Sequence, residues 1–487
     1  MNHPLPASDT AVPQGTLLSS LAAIVGASHV LTGEATAPFL TDWRGRYSGA
    51  ARAVVLPGTT DEVAAIVSLC ARHGIPIVPQ GGNTGLCGAA TPDESGSAIV
   101  LCTRRLSAVL AVDTENDTIT VQAGCTLQSV QEAAEGAGRL FPLTLGAQGT
   151  CAIGGNLATN AGGTQVLRYG TMRELTLGLE VVTADGQIWR GLQGLRKDNT
   201  GYALRDLFIG SEGTLGVITA ATLKLFPRPV AQCTAFLAFA SLEDAVAMLS
   251  QARNGFGASL TAFELISVVC MQAVAEHFPQ PPLPFVGASG AMPWFALLEL
   301  SDSESEEHAR TRFEAVLAAA LEQGIVQDAV IAESLAHSRA LWHIREHIPL
   351  AELAQGKAIK HDISIPVSRM AAFVSSTNAL LQARFPGVRN VVFGHLGDGN
   401  LHYNVARGQA YDEKGLLAIQ DDVYALVHDR VIEHGGSISA EHGIGQLKRD
   451  LLPRYKDPTA LLLMRQIKAA LDPAGILNPG KMLAVSP

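Results

Sequence analysis

Apolar positions in the first half of the chain recur with a helical period, then give way to short continuous runs. Val63, Ile66, Val67 and Cys70 share one helical face, and Thr59-x-x-Glu62 opens that helix as a capping box. Gly74 ends it, and IPIVP (75–79) reads as a short buried strand. The pattern predicts further strands at 98–102 and 119–123, and a helix over 126–137 that stops at Gly136 and Gly138. LGLEVVTADGQIWR (177–190) reads as a hairpin turning at Asp185-Gly186. TLKLFPRPV (222–230) ends in a proline-rich exit and sets a domain boundary near 230. Beyond it, alanine-rich helices (242–253, 304–323, 334–355) interleave with strands near 294–300, 359–366 and 390–406, the mixture of an α+β domain. A Gly435-Gly436 turn, further helices and DPAGILNPGK (472–481) complete the chain.

Composition narrows what such a chain can do. Its 487 residues suggest several domains, and 47% hydrophobic residues supply their cores. Only 16% of residues are charged, which excludes a charge-rich disordered chain. Lys+Arg total 35 against 45 Asp+Glu, a net charge of −10 with no basic run, so a nucleic-acid or anionic-membrane binder is not expected. A local cationic pocket for a small acid remains compatible with that balance. The longest apolar stretch, Leu17 to Leu31, is broken by Ser19, Ser20, Gly26, Ser28 and His29, short of the roughly 20 residues of a spanning helix. MNHPLPASDT at the start has neither Lys/Arg nor an apolar segment, which argues against a signal or transit peptide. Seven scattered Cys without a CxxC read as reduced thiols, and a cytoplasmic location is expected.

Two constellations carry candidate chemistry. The first is a set of glycine loops: PQGGNTG (79–85), GAQGTCAIGGNLATNAGG (146–163) and GSEGTLG (210–216). Glycines let backbone N–H groups approach phosphate oxygens closely, although such a loop can also be only a tight connection. There is no GxGxxG after a strand and no GxxxxGK[ST], which disfavours a Rossmann site or P-loop. The second is VVFGHLGDGNLHYN (391–404). With Asp398-Gly399 as a two-residue turn, His395 pairs with His402 on one face, and Asn404 shares that face. Two histidines so placed suit a divalent metal, or are simply polar strand residues. SAEHGIG (439–445) offers Glu441 and His442 as further donors. His343 and His347, at i and i+4 on a helix, are a weaker competing pair, since no Glu follows His343 to make HExxH.

The motifs PQGGNTG, GGNLATNAGG, LRYG (167–170), LRKDNTGY (195–202) and LFIGSEGTLG (207–216) resemble the FAD-binding half of the vanillyl-alcohol-oxidase superfamily. The second half resembles its D-2-hydroxyacid dehydrogenase branch, nearest to the D-2-hydroxyglutarate-oxidising members, over about Asp42 to Met482. The resemblance implies an α+β fold: an N-terminal helical segment (1–50), a PCMH-type FAD-binding domain (51–230) and a ferredoxin-like substrate domain (231–435) of the FAD-linked oxidase C-terminal type. A C-terminal helical segment (436–487) returns to the FAD domain. It implies non-covalent FAD held by Pro79, Gly81, Gly82, Asn83, Thr84, Gly85, Leu86, Pro142, Leu143, Gly146, Gly149, Thr150, Gly154, Gly155, Asn160, Ala161, Gly162, Gly163, Glu212, Gly213, Gly216, Ile218 and Asn478. It implies a zinc-like ion (manganese or iron being alternatives) on His395, His402 and Glu441, with His442 as the catalytic base. Arg345, Lys360 and Asn404 become substrate contacts, together with His442. The expected reaction moves a hydride from C2 of the hydroxyacid to flavin while His442 takes the hydroxyl proton. D-2-Hydroxyglutarate is the expected substrate, with D-lactate, D-malate or glycolate as alternatives. An electron-transfer flavoprotein or quinone is the expected acceptor, oxygen the alternative, and a homodimer the family's habit. The family often has Thr or Ser four residues after the Arg; this chain has Pro349 there, which leaves the exact diacid open. A non-catalytic flavin subunit would not need the full histidine set, and a metal hydrolase would leave the glycine loops unexplained.

Overall fold

The computed structural model describes residues 13–285 and 292–484. The opening MNHPLPASDT, on which the targeting argument rests, lies outside the described residues, as do 286–291. The chain divides into two compact units, Met1–Gly162 with Gly170–Pro227 and His442–Pro487, and Gly163–Tyr169 with Arg228–Glu441. Gly163, expected among the cofactor-loop residues of the first half, therefore belongs to the second unit.

Besides the two-stranded pair of Arg139–Leu140 with Phe226–Pro227, the first unit holds two larger sheets. In the smaller, β1 (Val30–Leu31), β2 (Ala53–Val55), β3 (Ile77–Gln80) and β4 (Ile99–Cys102) lie in the order β1-β2-β4-β3. β4 runs parallel to both β2 and β3. The strands are short apolar runs because both faces are covered. Ala53, Val55, Ile77, Ile99 and Leu101 meet the helices α1 (Gln14–Val25) and α2 (Thr60–His73), whereas Val54, Val78, Val100 and Cys102 pack with Phe39. Helix α2 begins where the sequence predicts, with the Thr59 side chain accepting from Glu62 N–H. The return half of the box differs: the Glu62 carboxylate takes Gly58 N–H instead, one residue upstream. The second sheet is antiparallel, β5 (Val109–Asp113), β6 (Thr118–Gln122), β7 (Thr176–Val182), β8 (Ile188–Gly191) and β9 (Val217–Lys224), in the order β5-β6-β9-β7-β8. The C-terminal stretch rejoins this unit beside β3, where Ile77 N–H donates to Ile476 and Asn478 N–H donates to Ile77.

The second unit is built on an antiparallel sheet. Its strands are β10 (Ala231–Phe239), β11 (Leu260–Ser267), β12 (Trp294–Asp302), β13 (Asp328–Ile331), β14 (Ala358–Ile359), β15 (Asp362–Ser364), β16 (Arg389–His395) and β17 (Asn400–Ala406). They follow the order β13-β10-β12-β11-β16-β17-β14, with β15 also paired to β17. Helix α3 (Leu335–Ala354) lays Leu341, Ile344, Ile348 and Ala351 against Phe236, Ile266, Phe295 and Phe393 of this sheet. No described helix is long and apolar enough to cross a membrane.

Candidate functional site

In the first unit a cleft opens beyond the end of β3. It is lined by Pro79 to Gly85, by Ala152, Gly154, Gly155 and Asn156, and by Glu212, Gly213, Gly216 and Ile218, among others. The glycines are there for space. A Cβ on Gly82 would stand 1.9 Å from the Thr150 carbonyl oxygen, so only glycine lets the 81–85 loop lie on its neighbour. Asn83 and Glu212, both in the cleft lining, hold positive φ values of 55° and 54°, the left-handed region that side-chain-bearing residues seldom adopt. The backbone N–H groups of Gly82 to Gly85 donate to no other group among the described residues. The buried Gln80 Oε1 has no partner there either. Backbone N–H groups without an internal acceptor, beside glycine, fit the oxygens of a pyrophosphate.

Other expected cofactor residues stand off this cleft. Leu86, Pro142, Leu143, Gly146, Gly149, Thr150, Asn160, Ala161, Gly162, Gly163 and Asn478 are not in its lining. Asn160 has a local duty: its Oδ1 accepts from Thr171 Oγ1 and Arg173 N–H. Asn478 Nδ2 donates to the carbonyls of Ala89 and Glu212, so it braces the wall from behind. Sequence reasoning missed Gln80, Ala152, Asn156 and Thr159, which line the cleft without being glycines. The Glu212 side chain turns away from a ligand role. Its two oxygens accept from Ile444 and Gly445 N–H at 2.7 Å each, fixing the loop that follows His442.

In the second unit β16 and β17 form the expected hairpin, with a different register. Phe393, not His395, stands opposite His402, and Leu396 to Gly399 form a four-residue loop. The loop is closed by Asp398 and Gly399 N–H donating to the His395 carbonyl. A shift of two residues in the partner sum keeps side chains on their faces. His395 and His402 remain on one face as a diagonal pair, ring centroids 5.9 Å apart. Their ring nitrogens and a Glu441 oxygen lie within 4.8 Å of one another. His395 Nε2 is 3.5 Å from Glu441 Oε1. About 2.0–2.2 Å from zinc to each ligand corresponds to roughly 3.5 Å between ligands, so this donor set fits such an ion after small rotations. His343 and His347 also stack, with centroids 3.5 Å apart, but no third donor joins them among the described residues.

The partners of these residues set their charge. Glu264 of β11, 1% exposed and opposite His395 in register, accepts from His395 Nδ1 at 2.7 Å through Oε1. Its Oε2 accepts from Arg345 Nε at 2.7 Å. Burial acts to raise the Glu264 pKa, yet His395 and Arg345 together hold it below the ordinary range. Burial acts to lower His395, but Glu264 and Glu441 outweigh it and hold its pKa at about 9. Burial, with Asp362 and Asp398 adding to it, raises Glu441 to about 7 against the pull of His395.

Arg345, from the inner face of α3, is itself buried and stacks over the Phe393 ring at 5.0 Å. Its Nη atoms make no bond among the described residues, which leaves the outer edge of the fork for an anion. Pro349 lies one turn on and is exposed; lacking an N–H, it leaves the Arg345 carbonyl without its helical donor. Lys360 Nζ is paired at 2.7 Å with the buried Glu352, whose other oxygen takes Asn404 Nδ2 at 2.9 Å. Asn404 Oδ1 accepts from His361 N–H, so both ends of this amide are engaged. Glu264 and Glu352 are absent from the sequence reading, because no motif surrounds them.

The profile described as "FAD linked oxidases, C-terminal domain" matches residues 228–482, and that described as "FAD binding domain" matches 51–191. D-2-hydroxyglutarate dehydrogenase, mitochondrial, of Bos taurus is 40% identical over 472 residues, 96% of this chain and 83% of its own. D-2-hydroxyglutarate dehydrogenase of Xanthomonas citri pv. viticola is 39% identical over 445 residues, covering 91% of each chain. Among solved structures, p-cresol methylhydroxylase with substrate bound superposes with a TM-score of 0.74 at 18% identity, over 96% of each chain. An alkyldihydroxyacetonephosphate synthase gives 0.72 at 18% identity over 97% of this chain and 86% of its own, a likeness of fold.

Proposed function

This chain belongs to the FAD-linked oxidoreductase family of the D-2-hydroxyglutarate dehydrogenases, and we propose that D-2-hydroxyglutarate is its own substrate, oxidised to 2-oxoglutarate at a metal-assisted site with His442 as base. It is an FAD-dependent enzyme that oxidises a D-2-hydroxyacid. The observation that supports the finer reading is the environment of Arg345: a buried guanidinium, gripped at Nε by the same carboxylate that grips His395, with its outer edge unpartnered. Such a fork suits one carboxylate of the acid in bidentate pairing. Lys360, a point charge on a flexible stem, suits the second carboxylate of a diacid. Holding both ends restricts the acid to one pose, the proximity part of catalysis.

The 81–85 loop would hold the pyrophosphate of FAD, which when bound would supply the acceptor for the C2 hydride. His395, His402 and Glu441 would hold a divalent ion, whose positive charge would favour loss of the hydroxyl proton. His442 then takes the hydroxyl proton as general base. Glu212, through Ile444 and Gly445, fixes the loop on which His442 stands. Electrons pass on to an electron-transfer flavoprotein or a quinone.

Anaerobic addition of D-2-hydroxyglutarate to the yellow protein is expected to bleach the flavin band. His442→Ala should keep its FAD and lose that bleaching. A wild-type protein that bleaches with D-lactate or D-malate but not with the diacid overturns the substrate, and a variant that reduces at a near-normal rate overturns the base.

A further inference from the structure

We propose that Glu264 is a positioning residue that couples the ion site to the substrate clamp; the inference rests on the reading of those two sites given above. Glu264 sits in the middle of β11, where one carboxylate serves two cationic or proton-bearing partners at 2.7 Å each. An ionised carboxylate only accepts, so His395 carries its proton on Nδ1 toward Glu264, and Nε2 is the nitrogen left for a cation. The same charge holds Arg345 at Nε, and the Nη atoms make no bond among the described residues. Phe393 closes a second link: its ring lies under Arg345 at 5.0 Å and 4.9 Å from the His402 ring. Clamp and ligands thus form one continuous circuit, Arg345 to Glu264 to His395 on one side and Arg345 to Phe393 to His402 on the other.

Glutamine cannot replace the carboxylate in this circuit. It has one acceptor oxygen for two donors. If that oxygen takes Arg345 Nε, the amide NH2 faces His395 Nδ1 and forces the imidazole proton onto Nε2, where a ligand lone pair is needed. If it takes His395, the buried Arg345 Nε faces an NH2 group. Either arrangement damages one of the two sites.

The test reads zinc affinity, by competition with a chromogenic chelator on FAD-loaded protein, together with KM for D-2-hydroxyglutarate. Glu264→Gln is expected to weaken zinc by about 10–100-fold, as loss of a carboxylate behind a metal-ligating histidine does elsewhere. FAD content should stay unchanged. Arg345→Gln is expected to tighten zinc several-fold, because it leaves Glu264 to His395 alone. In the Glu264→Gln background the same change should give much less, a non-additivity that a purely structural Glu264 would not produce. Should Glu264→Gln fail to fold, the response of zinc to Arg345→Gln alone decides. Wild-type zinc affinity in Glu264→Gln, or indifference of zinc to Arg345, overturns the coupling while leaving the metal reading intact. A wild-type protein that takes up no zinc overturns both.

Discussion

Adjacent glycines in GGN face different surroundings, which separates folding from cofactor binding in one substitution pair. Gly154 and Gly155 open the short helix Ile153–Ala158. A Cβ on Gly154 would stand 2.8 Å from Ala123 Cβ and 3.1 Å from its carbonyl oxygen. A Cβ on Gly155, a cleft-lining residue, would meet nothing of the protein within 4 Å. Gly155→Ala should therefore leave the FAD-stripped protein at least as stable as wild type, since alanine is favoured over glycine in a helix by up to about 1 kcal/mol. The added methyl instead occupies space a cofactor would use. Displacing a phosphate from even one charge-assisted N–H bond costs about 1.5–3 kcal/mol, which is roughly 10- to 100-fold in FAD affinity. Gly154→Ala should do the reverse, destabilising the stripped protein by about 1–3 kcal/mol through overpacking. Thermal unfolding of the stripped protein and titration with FAD by fluorescence quenching read the two quantities separately. Gly155→Ala with wild-type FAD affinity, or with a lowered unfolding temperature when stripped, would refute the assignment of this cleft to the cofactor.

Two further expectations concern the second unit. Burial raises Glu299 from 4.5 to about 6, against the hydrogen bond from Trp342 Nε1 at 2.8 Å. A raised folded-state pKa means stability that is full below the unfolded value and lost as pH rises through about 6, a loss of about 2 kcal/mol at 1.4 kcal/mol per pH unit. Glu299→Gln keeps an acceptor for Trp342 and should flatten that fall between pH 4.5 and 7.5; denaturant midpoints with the wild-type slope would contradict it. Lys360→Met should raise KM for D-2-hydroxyglutarate at least about 10-fold, the cost of a lost charge-assisted contact, while hardly altering D-lactate oxidation. Equal losses on both acids in initial-rate assays would remove Lys360 from diacid recognition.

Much of the fold is legible because its signals are local. The N-cap at Thr59, the hairpin at Asp185-Gly186 and the long helix of Arg345 sit where periodicity and turn residues predict them. The register of the histidine hairpin is not local. Asp398-Gly399 marks the turn, but the chain closes a four-residue loop onto the His395 carbonyl, which the dipeptide cannot distinguish from a two-residue turn. The placing of His395 and His402 on one face survives only because the side-chain period is two. The residues 163–169 give no compositional break from the glycine loop before them, yet Arg168 donates to the carbonyls of Ser259 and Ser301 in the second unit. Contacts across such sequence distances leave no trace in spacing.

The buried carboxylates are the instructive omission, because a physical signal for them does exist. LTAFELIS (260–267) and WFALLELSD (294–302) are apolar strands, each interrupted by a single Glu. A carboxylate in the middle of a buried strand is costly unless something pays it back with charge or hydrogen bonds, so each such Glu predicts a partner elsewhere in the chain. In the structure both partners come from one helix: Trp342 reaches Glu299 and Arg345, three residues on, reaches Glu264. The same helix contributes Glu352, which holds Lys360 and Asn404. α3 is therefore located on the sheet by polar bonds as well as by its apolar face. This explains how a helix whose outer surface exposes Leu335, Leu350 and Leu353 can still fix Arg345 in a single position. Removing either strand carboxylate should loosen the helix and misplace the clamp before it unfolds the domain.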